Sequence, residues 1–237
     1  MHPIPLNTPP KDCLSCERRH LLTFCNLPAE ALEEYDRIGT MMSYGRGATL
    51  FSESDPARNV FVICFGQVKI STNSRDGKTM ILKIAGLGNV LGLSAVLANI
   101  PYEATAETIE PCQIKIMHKK ELMEFFGRHG IASLQAAQSL SAEYLDAFHD
   151  AQRLALSRSA AGRLARLLLD WGSSAGDGNS EIRFTMALTH EEIGNMAGMS
   201  RESVTRFLNQ FRRNQWITIH GTRLKVVKPD QLQRLSA

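Results

Sequence analysis

Cysteines and a short run of charged side chains are the residues of this 237-residue chain whose types and spacing could do chemistry. Cys13 and Cys16 form a Cys-x2-Cys pair, Cys25 follows, and Cys112 lies in Glu-Pro-Cys-Gln-Ile. Two thiolates at that spacing can reach one metal centre, and four can hold one [4Fe–4S] cluster. The same arm offers a zinc site through Cys13, Cys16, Cys25 and His20, or a thiol-based redox switch. Plain structural thiols are the bland alternative: a cysteine before a strand, as at Cys112, is a common small core residue. Cys64, inside Val-Phe-Val-Ile-Cys-Phe, reads as core. An odd total of five cysteines argues against a secreted disulfide framework.

The second set lies in residues 187–213. Thr189 and Glu192 make a capping-box pattern, Ile193 and Met196 share a helix face, and Gly198 permits a tight turn. Ser200 starts a second helix over 200–212, with Val204, Phe207, Leu208 and Phe211 at the spacing of a buried face. Arg201, Glu202, Thr205 and Arg206 occupy the other face, where a recognition helix meets base edges. Arg can donate twice to guanine and Glu can accept from cytosine, while Ser200, Arg212 and Arg213 suit the backbone. The net charge is only +3. Residues 201–225, however, set Arg201, Arg206, Arg212, Arg213, Arg223 and Lys225 against Glu202 alone. Such a basic face binds phosphates by releasing counterions. An enzyme is disfavoured: the histidines show no His-x3-His pairing, and there is no phosphate loop or Ser elbow.

Elements that would carry these residues follow from the pattern. The Pro-rich start reads as an irregular arm, and residues 29–38 as a short helix. Segments 48–52, 60–64, 67–72, 79–85 and 112–117 read as strands punctuated by glycine, with a turn at Arg75-Asp76-Gly77. That spacing favours an antiparallel roll or sandwich. From Lys119 to Leu156 the pattern turns helical, about 50 Å if continuous. Its stripe of Leu134, Ala137, Ser141, Tyr144, Phe148, Gln152 and Ala155 suits a two-fold seam, whereas Leu122, Phe125 and Phe126 suit packing on the roll. Ser157 and Arg158 read as a hinge, Ala160–Trp171 as a further helix, and 172–180 as a loop. No run of 18 apolar residues and no secretory signal are present, so no membrane and a cytoplasmic location are expected.

Met-Ser-Arg-Glu-Ser-Val-Thr-Arg, Phe-Leu, and Ile-Thr-Ile-His-Gly with the basic strand after it resemble the DNA-binding domain of the CRP/FNR superfamily. Residues 44–51, 60–69 and 76–82 are similar to its β-roll sensor. The resemblance implies an α+β chain: an arm over 1–28, a cyclic-nucleotide-binding-like β-roll over 29–118, a dimerisation helix over 119–156, and a winged helix-turn-helix over 157–237. It implies a homodimer on a palindromic DNA site, Arg201, Glu202, Thr205 and Arg206 in the major groove, and RNA polymerase as a partner. Where the cyclic AMP branch clamps phosphate with Arg-Ser, this chain has Tyr102 and Glu103, and Gly92-Leu93-Ser94 replaces the Gly-Glu pattern. Cyclic AMP is therefore not the expected signal. The FNR-like branch implies Cys13, Cys16, Cys25 and Cys112 as ligands of a [4Fe–4S] cluster. With such a cluster, like-charge repulsion between Asp146 and Asp150 near the expected seam would keep the cluster-free form apart. A sensor acting through protein partners, with degenerate DNA binding, is the remaining alternative.

Overall fold

A computed structural model describes residues 11–156, 159–174, 182–185, 188–221 and 223–236. The expected hinge at Ser157 and Arg158 lies outside them, as does most of the 172–180 loop. Two compact units divide the chain: one runs to Gly77 and from Leu82 to Leu145, the other comprises Asp146–Ala237 with Lys78–Ile81.

In the first unit the arm makes single turns at Arg19–Leu21 and Thr23–Cys25 and then enters α1 (Ala29–Arg37). Strands β1 (Thr40–Tyr44), β2 (Thr49–Phe51), β3 (Asn59–Phe65), β4 (Val68–Asn73), β5 (Thr79–Ala85) and β6 (Val90–Leu91) follow. After them come α2 (Leu93–Ala98), β7 (Thr105–Thr108) and β8 (Cys112–His118). They form two four-stranded sheets, ordered β1-β8-β3-β6 and β2-β7-β4-β5. Strand β8 pairs antiparallel with β1 and β3, and β7 with β2 and β4.

The central strand β3 is buried on both faces, which explains its unbroken apolar run. Phe61 and Ile63 turn into the roll with Phe51, Tyr102 and Cys112. Val60 and Val62 turn the other way, against Phe24, Tyr35, Leu122 and Phe125. The arm and α1 thus cover the outer face of the β1-β8-β3-β6 sheet. Each fully buried Leu, Val or Phe there contributes roughly 1.5–3 kcal/mol before entropy is counted.

The helical stretch expected to run on from Lys119 is interrupted. Helix α3 (Lys119–Arg128) ends at His129, whose φ of −121° and ψ of 87° are not helical, and α4 begins at Gly130 and runs to Leu156. The break is held from outside: Glu34 of α1 accepts hydrogen bonds from the Arg128 guanidinium and lies 2.8 Å from His129 Nε2. Leu122, Phe125 and Phe126 of α3 pack on the roll. Helix α4 has 27 residues, about 40 Å. It buries Ala132, Gln135 and Ala136, while Leu134, Ala137, Ser141, Tyr144, Phe148, Gln152 and Ala155 are all exposed.

The second unit contains α5 (Ala160–Ser174), β9 (Ile182–Thr185), α6 (His190–Ala197), α7 (Arg201–Arg213), β10 (Ile217–His220), β11 (Arg223–Val226) and α8 (Pro229–Ser236). Its sheet is ordered β10-β11-β9. Leu164, Leu168, Ile193, Val204, Phe211 and Leu232 supply its core. A Cβ on Gly162 would lie 2.6 Å from the Leu235 carbonyl oxygen, so α5 and α8 meet where only glycine fits.

Candidate nucleic-acid interface and thiol cavity

The helix-turn-helix is closed by local chemistry. Thr189 accepts from the Glu192 amide, and the Glu192 carboxylate accepts from the Thr189 amide at 2.9 Å. Gly198 ends α6 in the left-handed conformation, with φ 62°. Arg163 of α5 then donates to the carbonyls of Ala197 and Gly198 at 2.8 and 3.1 Å, satisfying groups that the helix end leaves open. A Cβ on Gly194 would come within 2.6 Å of the Met199 carbonyl, so this glycine lets the turn fold back onto α6. Sequence reasoning missed both Arg163 and Gly194; neither carries a spacing signal, because each acts on a partner distant in the chain or on the turn that follows.

Ser200 caps α7 by accepting from the Ser203 amide. Val204, Leu208 and Phe211 are buried, whereas Phe207 is only half-buried and carries the Arg206 guanidinium 4.8 Å from its ring centroid. Ser200, Arg201, Glu202, Arg206, Arg212 and Arg213 are exposed. Glu202's own backbone N–H and the Ser200 hydroxyl hold its carboxyl below the usual range, so it is an anion ready to accept. Thr205 stands differently. It is half-buried, donates to the Arg201 carbonyl at 3.0 Å, and its oxygen lies 2.8 Å from His190 Nδ1. It ties α7 to α6 where an outward, base-reading side chain was expected. His190 is correspondingly half-buried.

In the first unit, Cys13, Cys16 and Cys25 line one narrow cavity on the outer face of the β1-β8-β3-β6 sheet. The fourth cysteine there is Cys64, not Cys112. Leu22, Leu32 and Tyr35 wall the cavity, and Asp12 and Arg19 border it. Its free volume is about 20 Å³, the room of a single water. Among the described residues no three His, Cys, Asp or Glu side chains are gathered as a chelating group. A larger guest therefore requires the arm to yield. Burial pushes the Cys13 thiol up to about 12 and the Cys64 thiol up to about 11, and pushes Cys25 up as well. As thiols they are neutral near pH 7; a bound metal would replace their protons. His20, the imidazole of the zinc alternative, is exposed and does not border the cavity.

Cys112 lies on the opposite side of the same sheet. Its Sγ lies 3.3 Å from the carbonyl oxygens of both Gln67 and Glu110, either of which can accept its one S–H, and it packs in the roll interior beside Gly66. Gly66 (φ 86°) has no room for a Cβ, which would lie 2.6 Å from that sulfur. The Tyr102 ring stacks on Phe51 at 4.0 Å inside the roll, and its hydroxyl donates to the Asn59 carbonyl at 2.7 Å. The position expected to lack a phosphate-clamping group is thus filled by a fixed aromatic ring, and Glu103 beside it is exposed.

Residues 41–129 match the cyclic nucleotide-binding domain family, and residues 162–235 match the Crp-like helix-turn-helix domain family. The chain is 30% identical over 204 residues to the global nitrogen regulator of Synechococcus elongatus, covering 81% of this chain and 87% of that one. It is 27% identical over 194 residues to a CRP-like cAMP-activated global transcriptional regulator of Mycobacterium tuberculosis, covering 81% and 86%. Among solved structures, FixK2 from Bradyrhizobium japonicum superposes with a TM-score of 0.75 at 20% identity, over 84% of this chain and 98% of that one.

Proposed function

We propose a function from one premise: the chain belongs to the CRP/FNR family of transcriptional regulators, and it is a DNA-binding regulator with a β-roll sensor domain and a Crp-like helix-turn-helix, not an enzyme. It acts as a homodimer seamed along α4, places two copies of α7 in successive major grooves of a palindromic site, and works with RNA polymerase. Its signal is redox state, taken up by an iron–sulfur cluster on the arm cysteines. The observation that carries this reading is the convergence of Cys13, Cys16 and Cys25 on one cavity against the roll. A cluster supplies metal–thiolate bonds that oxidants destroy.

The chain's own residues supply the transmission. The arm is fastened by the Cys13 amide, which donates to Asp36 Oδ1 at 2.7 Å, and by Phe24, buried against Tyr35 and Phe126. Gln135 of α4 donates its side-chain amide to the Asn26 carbonyl, and Ala132 and Ala136 pack into the same core as the arm. Holding the arm in place therefore bears directly on the helix whose other face carries the exposed stripe. The filled roll interior around Tyr102 supports a signal other than cyclic AMP.

Anaerobic purification followed by iron, acid-labile sulfide and visible absorbance measurements tests the cluster. A gel shift against palindromic and scrambled DNA at two salt concentrations tests the output. The expected result is a coloured protein whose specific, steeply salt-dependent binding is lost after air exposure. A colourless protein that binds the palindrome equally well in air would overturn redox control. Equal affinity for both DNAs at low and high salt would favour action through a protein partner.

A further inference from the structure

Resting on the cluster reading above, we infer that Cys64 of β3, and not Cys112, completes a four-thiol site with Cys13, Cys16 and Cys25. Cys64 lines the cavity with the three arm cysteines, on the side of β3 toward which Val60 and Val62 face the arm and α1. The pairing of β3 with β8 shifts register between Ile63 and Phe65, placing a bulge at Cys64. Bulges re-aim the residue they carry and recur beside functional sites. On β8 the alternation runs against Cys112: Cys112 and Ile114 face the roll interior, whereas Met117 faces the arm. No rotamer of Cys112 crosses its own sheet.

Two further groups sit where a buried anion is needed. Lys115 of β8 is 2% exposed, donates to the Asp36 carbonyl at 3.0 Å and lies 5.3 Å from the Tyr35 ring centroid. Its ammonium opposes the rise of the Cys13 and Cys64 thiols. Burying an ammonium beside neutral thiols is costly, and beside thiolate-held iron and sulfide it is compensated. Tyr35 Oη is buried at the cavity with the Cys25 sulfur beside it and no oxygen or nitrogen acceptor among the described residues. The neighbouring Cys25 is a weak acceptor as a thiol and a far better one as a thiolate. The ligand class is a four-thiolate iron–sulfur cluster, with Lys115 as its charge partner and Tyr35 as a donor to the Cys25 sulfur.

The test compares the full-length wild type with Cys64→Ser, Cys112→Ser and Lys115→Met, all purified and reconstituted without oxygen. Iron and sulfide per chain, visible circular dichroism and cluster reduction potential are measured. Apo-protein thermal melts confirm that each variant is folded. Expected are wild-type loading in Cys112→Ser, a severalfold loss in Cys64→Ser, and a cluster of lower potential in Lys115→Met, because removing a nearby cation disfavours the added electron. Full loading in Cys64→Ser with loss in Cys112→Ser would overturn the inference and leave the cluster reading standing. A wild type that takes up neither iron nor sulfide would overturn the cluster reading, and this inference with it. A loaded Lys115→Met with unchanged potential would remove the role given to Lys115.

Discussion

At α7, exposure separates residues that sequence alone placed on one face. Glu202 is exposed and ionised, so replacing it with Ala is expected to change preference at one base position by roughly 1–3 kcal/mol, read by binding to a panel of single-base variants of the site. Thr205, bonded to Arg201 and beside His190, holds the two helices together. Thr205→Val is therefore expected to lower the melting temperature and weaken binding to all sites alike; a shift in base preference instead would return Thr205 to the groove. The contrast shows what the sequence could and could not reveal. Helical spacing put 201, 202, 205 and 206 on the solvent side, but it cannot tell a threonine that looks out from one that back-bonds to the preceding turn. Cys64 was hidden for a related reason. A fully buried central strand has no polar alternation to mark its faces, so an apolar run gave no sign that positions 60 and 62 face the arm while 61 and 63 face the roll. Cys112 and Cys64 look equivalent until that parity is known.

Elements are where the sequence was most legible, and where its one large departure occurred. Capping chemistry at Thr189 and Ser200 and the glycine-marked strands lie where the pattern puts them, because their signals are local. The break between α3 and α4 was not legible, since it depends on Glu34, some ninety-five residues away in sequence from His129. Hydrogen bonds from Arg128 and then His129 hold the Glu34 carboxyl below its ordinary value. A depressed carboxyl stabilises the fold above its unfolded pKa, about 4.3, and loses that contribution as pH falls through the lower folded value. Wild type is therefore expected to melt above Glu34→Gln near neutrality, with the gap closing as the pH drops below about 4; the gap is expected to shrink with added salt as well, since the pair is partly exposed. A gap that persists unchanged at pH 3 would assign the effect to packing. The same scale covers the proposed seam: Leu134→Glu with Phe148→Glu puts like charges on an exposed stripe, leaving the monomer fold intact, and is expected to shift sedimentation from the proposed dimer to monomer.

Across the whole molecule, the proposal is a linkage between the thiol cavity and DNA, and linkage is reciprocal. The arm packs with Ala132, Gln135 and Ala136 on one face of α4, and the stripe proposed as the seam runs along the exposed face. If filling the cavity raises affinity for the palindrome by some factor, DNA must raise the cavity's affinity for its ligand by that same factor. This can be measured at equilibrium: a titrated iron chelator competes for the cluster with and without saturating palindromic DNA. The chelator concentration at half loss is expected to rise with DNA by the ratio of the apo and cluster-loaded DNA affinities. Gln135→Ala, which removes the bond between α4 and Asn26, is expected to shrink both ratios together while leaving cluster loading near wild type. Protection by palindromic DNA that equals protection by scrambled DNA would mean that the cavity and the recognition helix are not coupled through the dimer, however well each works alone.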